Sequence, residues 1–184
     1  MDVLKVETPL KNEMVEKMKI GSQVLLSGII YTARDAAHKR LVDLITKGEP
    51  LPFEPEGSVI YYVGPSPAKP GQAIGAAGPT TSYRMDSYTP LLLENGVKGM
   101  IGKGMRSNEV IASMKKYCAV YFGATGGAAA LISKTIVEAD IIAFEDLGTE
   151  AVRRLRVKDM PLIVINDCYG SDLYIEGQKR WSSK

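Results

Sequence analysis

Cysteine and histidine are almost missing from this chain. It has two cysteines, Cys118 and Cys168, and one histidine, His38. A closed zinc site takes four nitrogen or sulfur ligands, and an iron–sulfur cluster usually takes three or four thiolates. Even pooled, the three residues make a poor metal site, so no metal ligand is assigned to this chain. The cysteines are not spaced as CxxC, and both lie in apolar stretches that suit core thiols. A metal needed for chemistry is therefore expected from another chain. Charge of one sign is also lacking: 23 Lys and Arg stand against 21 Asp and Glu, for a net charge of +2. No six-residue window is a basic run, so there is no nucleic-acid footprint. The longest weakly polar stretch, 119–132, is broken by three glycines and Thr125, and it falls short of the ~20 apolar residues that span a bilayer. The first residues carry acidic groups and no apolar core, so no signal peptide is expected. The cytoplasm is the expected location, with neither membrane nor nucleic acid as partner. The nucleotide loop GxxxxGK[ST] is absent as well.

At 184 residues the chain is long enough to bury a real core. One domain over 1–184 is expected, with its core at about 21–175. Its organising stretch is GAAGPTTSYRMDSY, residues 75–88. Gly75, Gly78 and Pro79 make a tight turn where backbone can come close to a ligand. Thr80 and Thr81 then offer N-cap hydroxyls to a following helix, whose free N–H groups would face an anion. Arg84, about one turn on, adds a charge-assisted fork. The 18 residues before it, GPSPAKPGQAIGAAGPTT, are too rich in Pro and Gly for a core element. A structureless segment of that length inside a compact domain is usually functional.

The remaining elements follow from periodicity and punctuation. A short extended piece precedes a weak helix over Lys11–Lys19, closed by Gly21. VLLSGIIY (24–31) predicts a buried strand. Thr32 is expected to N-cap the next helix, with Asp35 at its capping-box position, Gly48 as the stop, and Ala37, Leu41, Leu44 and Ile45 inward. SVIYYV (58–63) is a strand. Thr89 is an expected N-cap with Pro90 behind it, and Gly96 follows that helix. Val97–Ile101 is a strand, and Ser107 caps a helix over Asn108–Tyr117. Ala119–Phe122 is a strand before GATGGAAALISKT, which is expected to be a glycine-rich helix. Ile141–Phe144 is a strand, LGTEAVRRLRV a short helix, and Leu162–Ile165 a strand. NDCYG then turns into DLYI as a terminal hairpin with a frayed tail. Strands followed by helices argue an α/β domain with a central, largely parallel sheet and some antiparallel strands.

Three cations stand where a strand or glycine loop enters a helix: Arg34, Arg84 and Lys103. Arg34 opposes the helix dipole in the first turn, which is unhelpful for stability and points to anion binding. His38 shares its face one turn later. Lys103, between two glycines at the end of a strand, occupies the junction where ligands collect in open α/β sheets. Two arginine forks and a lysine match a small dicarboxylate or a phosphate, provided the loops share one sheet edge.

TARDAAHKR, AGPTTSYRMDSY, GKGMRS and YFGATGGAAAL, in that order, resemble the β subunit of class I fumarate hydratase. The family includes the iron–sulfur L-tartrate dehydratase β subunit. The resemblance runs from about Gly21 to Leu173. It implies a three-layer swivelling β/β/α domain and a split active site of a hydro-lyase. The 4Fe-4S cluster is then carried by a partner α subunit on three cysteines, and none is bound here. Arg34 and Arg84 would grip substrate carboxylates, and Lys103 would complete the anion pocket and assist catalysis. Thr80 would stand beside the carbon that gains or loses a proton. His38, Thr81 and Asp86 would support these groups. The substrate would be fumarate/malate, or tartrate as the close variant. The assembly would be α2β2, or a homodimer of the isolated chain. A non-catalytic anion-binding or regulatory module is the alternative. Met105 and the pair Ser82–Tyr83 depart from the family's pattern and bear on which dicarboxylate is accepted.

Overall fold

A computed structural model describes residues 3–124 and 129–182. The elements are β1 (Leu4–Glu7), α1 (Asn12–Val15), β2 (Gln23–Thr32), α2 (Asp35–Thr46) and β3 (Val59–Tyr61). After a 3₁₀ turn at Ser82–Met85 come α3 (Thr89–Glu94), β4 (Gly99–Gly102), α4 (Asn108–Tyr117), β5 (Val120–Gly123) and α5 (Ala129–Ser133). The chain closes with β6 (Ile136–Ala143), a 3₁₀ segment at Glu145–Glu150, β7 (Val152–Asn166) and α6 (Leu173–Ser182).

All seven strands join one mixed, mostly parallel sheet of order β1-β2-β3-β4-β5-β7-β6, with β2 also paired to β7. Strands β1 to β5 pair in parallel, and β7 runs antiparallel to β2, β5 and β6. A strand has only two edges. On β7, β2 covers Arg154–Ile163, so the opposite edge is divided between β6 at Val152–Val157 and β5 at Ile163–Asn166. The ladder β2–β3–β4–β5–β7 therefore closes on itself, and β1 and β6 flank the ring.

Burial on both faces explains why the central strands are near-continuous apolar runs rather than alternating ones. Val59, Tyr61, Ile101, Val120 and Phe122 point into one buried cluster with Leu155 and Val157 of β7. Ile60, Tyr62, Met100 and Tyr121 point the other way, where Ala37 and Leu41 of α2, Leu92 of α3 and Val110 and Met114 of α4 cover them. One side of the sheet thus gathers strand, loop, α1 and α5 residues, and α2, α3 and α4 cover the other.

Several expected elements change. Thr32 does not cap α2: it is the last residue of β2, and its hydroxyl donates to the Ala151 carbonyl and accepts from the Arg153 amide. The weak helix near residue 15 shrinks to Asn12–Val15. Thr89 is the first residue of α3 rather than its cap, and its hydroxyl donates to the Met85 carbonyl. VRRLRV is strand, not helix. Leu155 and Val157 turn inward while Arg154 and Arg156 turn out to pair with Asp140 and Glu138 of β6, so a period of two wins. The terminal hairpin is also overturned. One bridge, Asn166 to Asp172, is followed by α6, because the Asp172 carboxylate accepts from the amides of Tyr174 and Ile175. That capping signal outweighs the hairpin reading, and the helix runs on into the polar tail as far as Ser182. The helix expected from the GATGG glycines is described as α5 only from Ala129; residues 125–128 lie outside the described residues.

Candidate functional site

The parallel ladder sets Thr32, Tyr61, Ile101 and Phe122 side by side. The C-terminal ends of β2, β3, β4 and β5 therefore share one sheet edge. Arg34 leaves that edge after β2 and Lys103 after β4. The segment carrying Thr80 and Arg84 is laced onto the same edge. The Thr80 amide donates to the Tyr62 carbonyl at 2.7 Å, and isolated bridges join Val63 to Pro79 and Thr81 to Lys103.

Ser82 locks this crossing. Its amide donates to the Lys103 carbonyl at 2.9 Å, while its side-chain oxygen accepts from the Lys103 amide at 3.1 Å and lies 2.8 Å from the Tyr121 hydroxyl. Gly102 is required here, since a Cβ would run into the Ser82 oxygen and the Tyr62 ring. The Lys103 side chain is exposed. The expected caps at Thr80 and Thr81 do not form. The helix that follows is a single 3₁₀ turn, and Thr81, at its N-cap position, makes no side-chain capping bond. The Thr80 hydroxyl is engaged by no described residue.

The two arginines converge on one carboxylate. Arg84 Nε and Nη2 donate to the two Asp35 oxygens at 2.9 and 2.8 Å. Arg34 Nη2 lies 3.8 Å from Asp35 and 3.8 Å from Glu150. Asp35 is therefore not the capping-box residue of α2. That N-terminus is served by Glu150, which accepts from the Ala36 amide at 2.9 Å. The Arg34 guanidinium lies against Gly64, where a Cβ would collide with Nη1. Asp35 uses only one edge of the Arg84 fork. Nη1 and the second Nη2 hydrogen are left for an incoming anion.

Asp86 reaches a residue that the sequence reading missed. Its oxygens accept from Arg106 Nε at 2.7 Å and from the Ser107 amide at 2.6 Å. The Arg106 side chain is 0% exposed. Its Nη2 donates to Thr89 at 2.8 Å, its Nη1 to the Tyr62 hydroxyl at 3.3 Å, and its plane lies near the rings of Tyr62 and Tyr121. Burial opposes this charge, but the Tyr62 oxygen and the Asp86 carboxylate outweigh it and hold the group above the ordinary arginine range. Breaking such a pair from one side typically costs about 3–5 kcal/mol, because a buried charge is left alone. No spacing rule links residues 86 and 106. The available signal was a second cation in GKGMRS.

His38 is fully buried, with Nδ1 at 2.9 Å from the Arg34 carbonyl. A carbonyl only accepts, so Nδ1 carries the proton and the ring steadies the backbone of Arg34. Nε2 is buried without a partner among the described residues, and the ring meets Tyr62 edge-on at 5.2 Å. Burial lowers the His38 pKa to about 4; its bond to the Arg34 carbonyl opposes that shift. The imidazole is neutral at neutral pH. Among the described residues no group of three or more His, Cys, Asp or Glu is placed to hold a metal, and no helix is long and apolar enough to cross a membrane.

The folded pKa of His38 lies below its unfolded value, so the unfolded chain binds the proton more readily between the two. Its contribution is complete above pH ~6.5 and is lost as pH falls toward about 4, by an amount on the order of 3 kcal/mol. Urea unfolding across that window should show wild type losing that much more stability than His38→Leu. Parallel pH profiles for the two proteins would remove His38 as the source.

Known proteins resemble this chain through nearly its whole length. The family model described as fumarase C-terminus matches residues 2–177. Fumarate hydratase 2 of Leishmania major is 38% identical over 164 residues, covering 88% of this chain and 29% of that protein. The anaerobic class I fumarate hydratase of Escherichia coli is 35% identical over 170 residues, 90% of this chain and 31% of the enzyme. The chain thus spans under a third of these fumarate hydratases. It aligns with 91% of the putative L(+)-tartrate dehydratase subunit beta of Methanocaldococcus jannaschii, at 36% identity over 177 residues. The match over 2–177, which takes in every loop of the basic sheet edge, shows that the chain belongs to the fumarase C-terminus family.

Proposed function

We propose that this chain is the β subunit of an iron–sulfur hydro-lyase that adds water to fumarate, or removes it from tartrate, at a site shared with an α subunit. The observation that carries this reading is the gathering of Arg34, Arg84 and Lys103 on loops at one sheet edge, in a chain similar to a dehydratase subunit beta. In the same reading the chain is a swivelling three-layer β/β/α domain working in the cytoplasm.

Cys118 and Cys168 do not fit a cluster at this site. One precedes β5 and the other follows the antiparallel β7, so both lie at the opposite end of the strands from the cation loops. The 4Fe-4S cluster belongs to the α subunit in this reading. Arg84, held side-on by Asp35, offers its remaining N–H edge to one substrate carboxylate, and Arg34 and Lys103 neutralise the charge of the dicarboxylate. Asp35 also keeps the two like-charged arginines close together before substrate arrives. The Thr80 hydroxyl stands at the same edge without a described partner and serves the proton transfer. A threonine hydroxyl is a poor base at neutral pH, so a carboxylate of the α subunit must take the proton on. His38 fixes the Arg34 backbone, Thr81 bridges to Lys103, and Asp86 anchors the loop through Arg106.

The test is anaerobic reconstitution with a cluster-bearing α chain, followed by hydration assays on fumarate, malate and tartrate. The complex should be active, and Arg84→Lys should lower kcat/KM about ten- to hundredfold, since charge is kept but the fork is lost. A dicarboxylate-binding chain that leaves hydration unchanged would instead be the non-catalytic module. In the same complex Thr80→Val should lower kcat by about 10²–10⁴ with little change in substrate affinity or melting temperature, and Thr80→Ser should retain most activity. Solvent-deuterium exchange into malate that persists in Thr80→Val would assign the proton wholly to the α subunit.

A further inference from the structure

The two thiols take no part in the basic edge, and the fold brings them together at the other end of the sheet. β5 is antiparallel to the end of β7, with Tyr121 opposite Asn166. Continuing that register backward from Tyr121 and forward from Asn166 sets Ala119 opposite Cys168, with Cys118 one residue further along. Two packing observations keep the segments on either side of the thiols together. Lys115, one turn before Cys118, packs so closely over Gly170 that a Cβ there would fall 2.7 Å from its stem. Cys118 packs against the buried cluster that contains Cys168. The Cys118 thiol adds to the upward push that burial gives the Cys168 pKa. Cys118 also closes α4 in the left-handed conformation, with φ 51°. Glycine is the usual residue there.

We propose that Cys118 and Cys168 are a modification site, an intramolecular dithiol that a low-molecular-weight disulfide oxidises reversibly to a disulfide. Cys118 is half-buried and the more accessible thiol, whereas Cys168 is 9% exposed. The Cys118 thiolate attacks one sulfur of the oxidant, displaces the first small thiol and leaves a mixed disulfide on Cys118. The Cys168 thiolate then attacks the Cys118 sulfur and displaces the second. Two protein thiols lose two protons and two electrons, and the oxidant leaves as two thiols. Burial pushes the Cys168 thiol up to about 11, so the second step depends on the nearness of Cys168 to the mixed disulfide rather than on a standing thiolate. The nearby Lys19 ammonium, 3.1 Å over the Tyr169 ring, favours the thiolate, and Asp167 opposes it. The bond ties the end of α4, whose first turn adjoins Arg106 and Lys103, to the turn that leads into α6.

The test treats the folded full-length chain with oxidised glutathione, then titrates thiols in denaturant and measures intact mass. Both thiols should disappear, the mass should fall by two hydrogens, the product should stay monomeric on a non-reducing gel, and dithiothreitol should reverse it. In Cys168→Ser the mixed disulfide should accumulate on Cys118, and in Cys118→Ser the remaining thiol should stay largely unreacted. Two retained thiols in wild type, a persistent glutathione adduct, or crosslinks between chains would overturn the proposal.

Discussion

Arg106 is a charged side chain with no exposure to water, and its Nε bond to Asp86 is what makes that position tolerable. The two residues belong to different loops. Asp86 lies just past the 3₁₀ turn that carries Arg84, and Arg106 lies three residues beyond Lys103. Their pairing therefore joins the loops that bring two of the three cations to the sheet edge. Thr89, Tyr62 and Ser107 fill the remaining hydrogen-bonding positions around the pair, so α3, β3 and α4 share one polar centre inside an apolar layer. A pair of this kind contributes little net stability, because desolvation offsets most of the attraction. Its consequence is geometric: a loop that drifts leaves an uncompensated buried charge.

Around this centre the sheet edge is rich in cations and poor in neutral histidine-type switches. His38 is neutral and buried, and the carboxylates of Asp35 and Glu150 are engaged with Arg84, Arg34 and the start of α2. Asp35 has a double effect. It screens the repulsion between the two arginines and fixes one edge of Arg84, which would lower the ordering cost of the carboxylate binding proposed for the other edge. The family membership gives this pre-organised cation cluster a chemical context, in proteins whose relatives handle small dicarboxylates and carry this region as part of a longer chain or as a separate subunit.

Much of this was readable from residues alone, and the limits are physical. The strands of the parallel ladder, the Ser107 cap and the Gly48 stop follow from local pattern, because each depends on near neighbours. The reading of Arg34, Arg84 and Lys103 as one cation group depended on their loops sharing a sheet edge, and the parallel ladder supplies that edge. What the sequence hid depends on distant partners. Asp35 fits a capping box in sequence, but Arg84 claims it in space and Glu150 serves the helix instead. VRRLRV carries enough long side chains to suggest a helix, and only a partner strand with Asp140 and Glu138 reveals its period of two. Asp172 caps α6 at a place where the apolar DLYI suggested a strand. Arg106 is invisible as a buried group, because arginine is normally exposed and its justification lies twenty positions away in Asp86.

The claim that one buried pair holds both cation loops is tested most directly by hydrogen exchange in Arg106→Met, a change that keeps packing volume against Tyr62 and Tyr121. The informative amides are those of residues 82–89, which lie far from the substitution in sequence. They should exchange faster, by about a hundredfold or more if the pair's loss costs ~3–5 kcal/mol locally, while the β2–β7 ladder keeps its protection. Unchanged exchange over residues 82–89 would contradict the account, since the loop bearing Arg84 would then be held without Arg106.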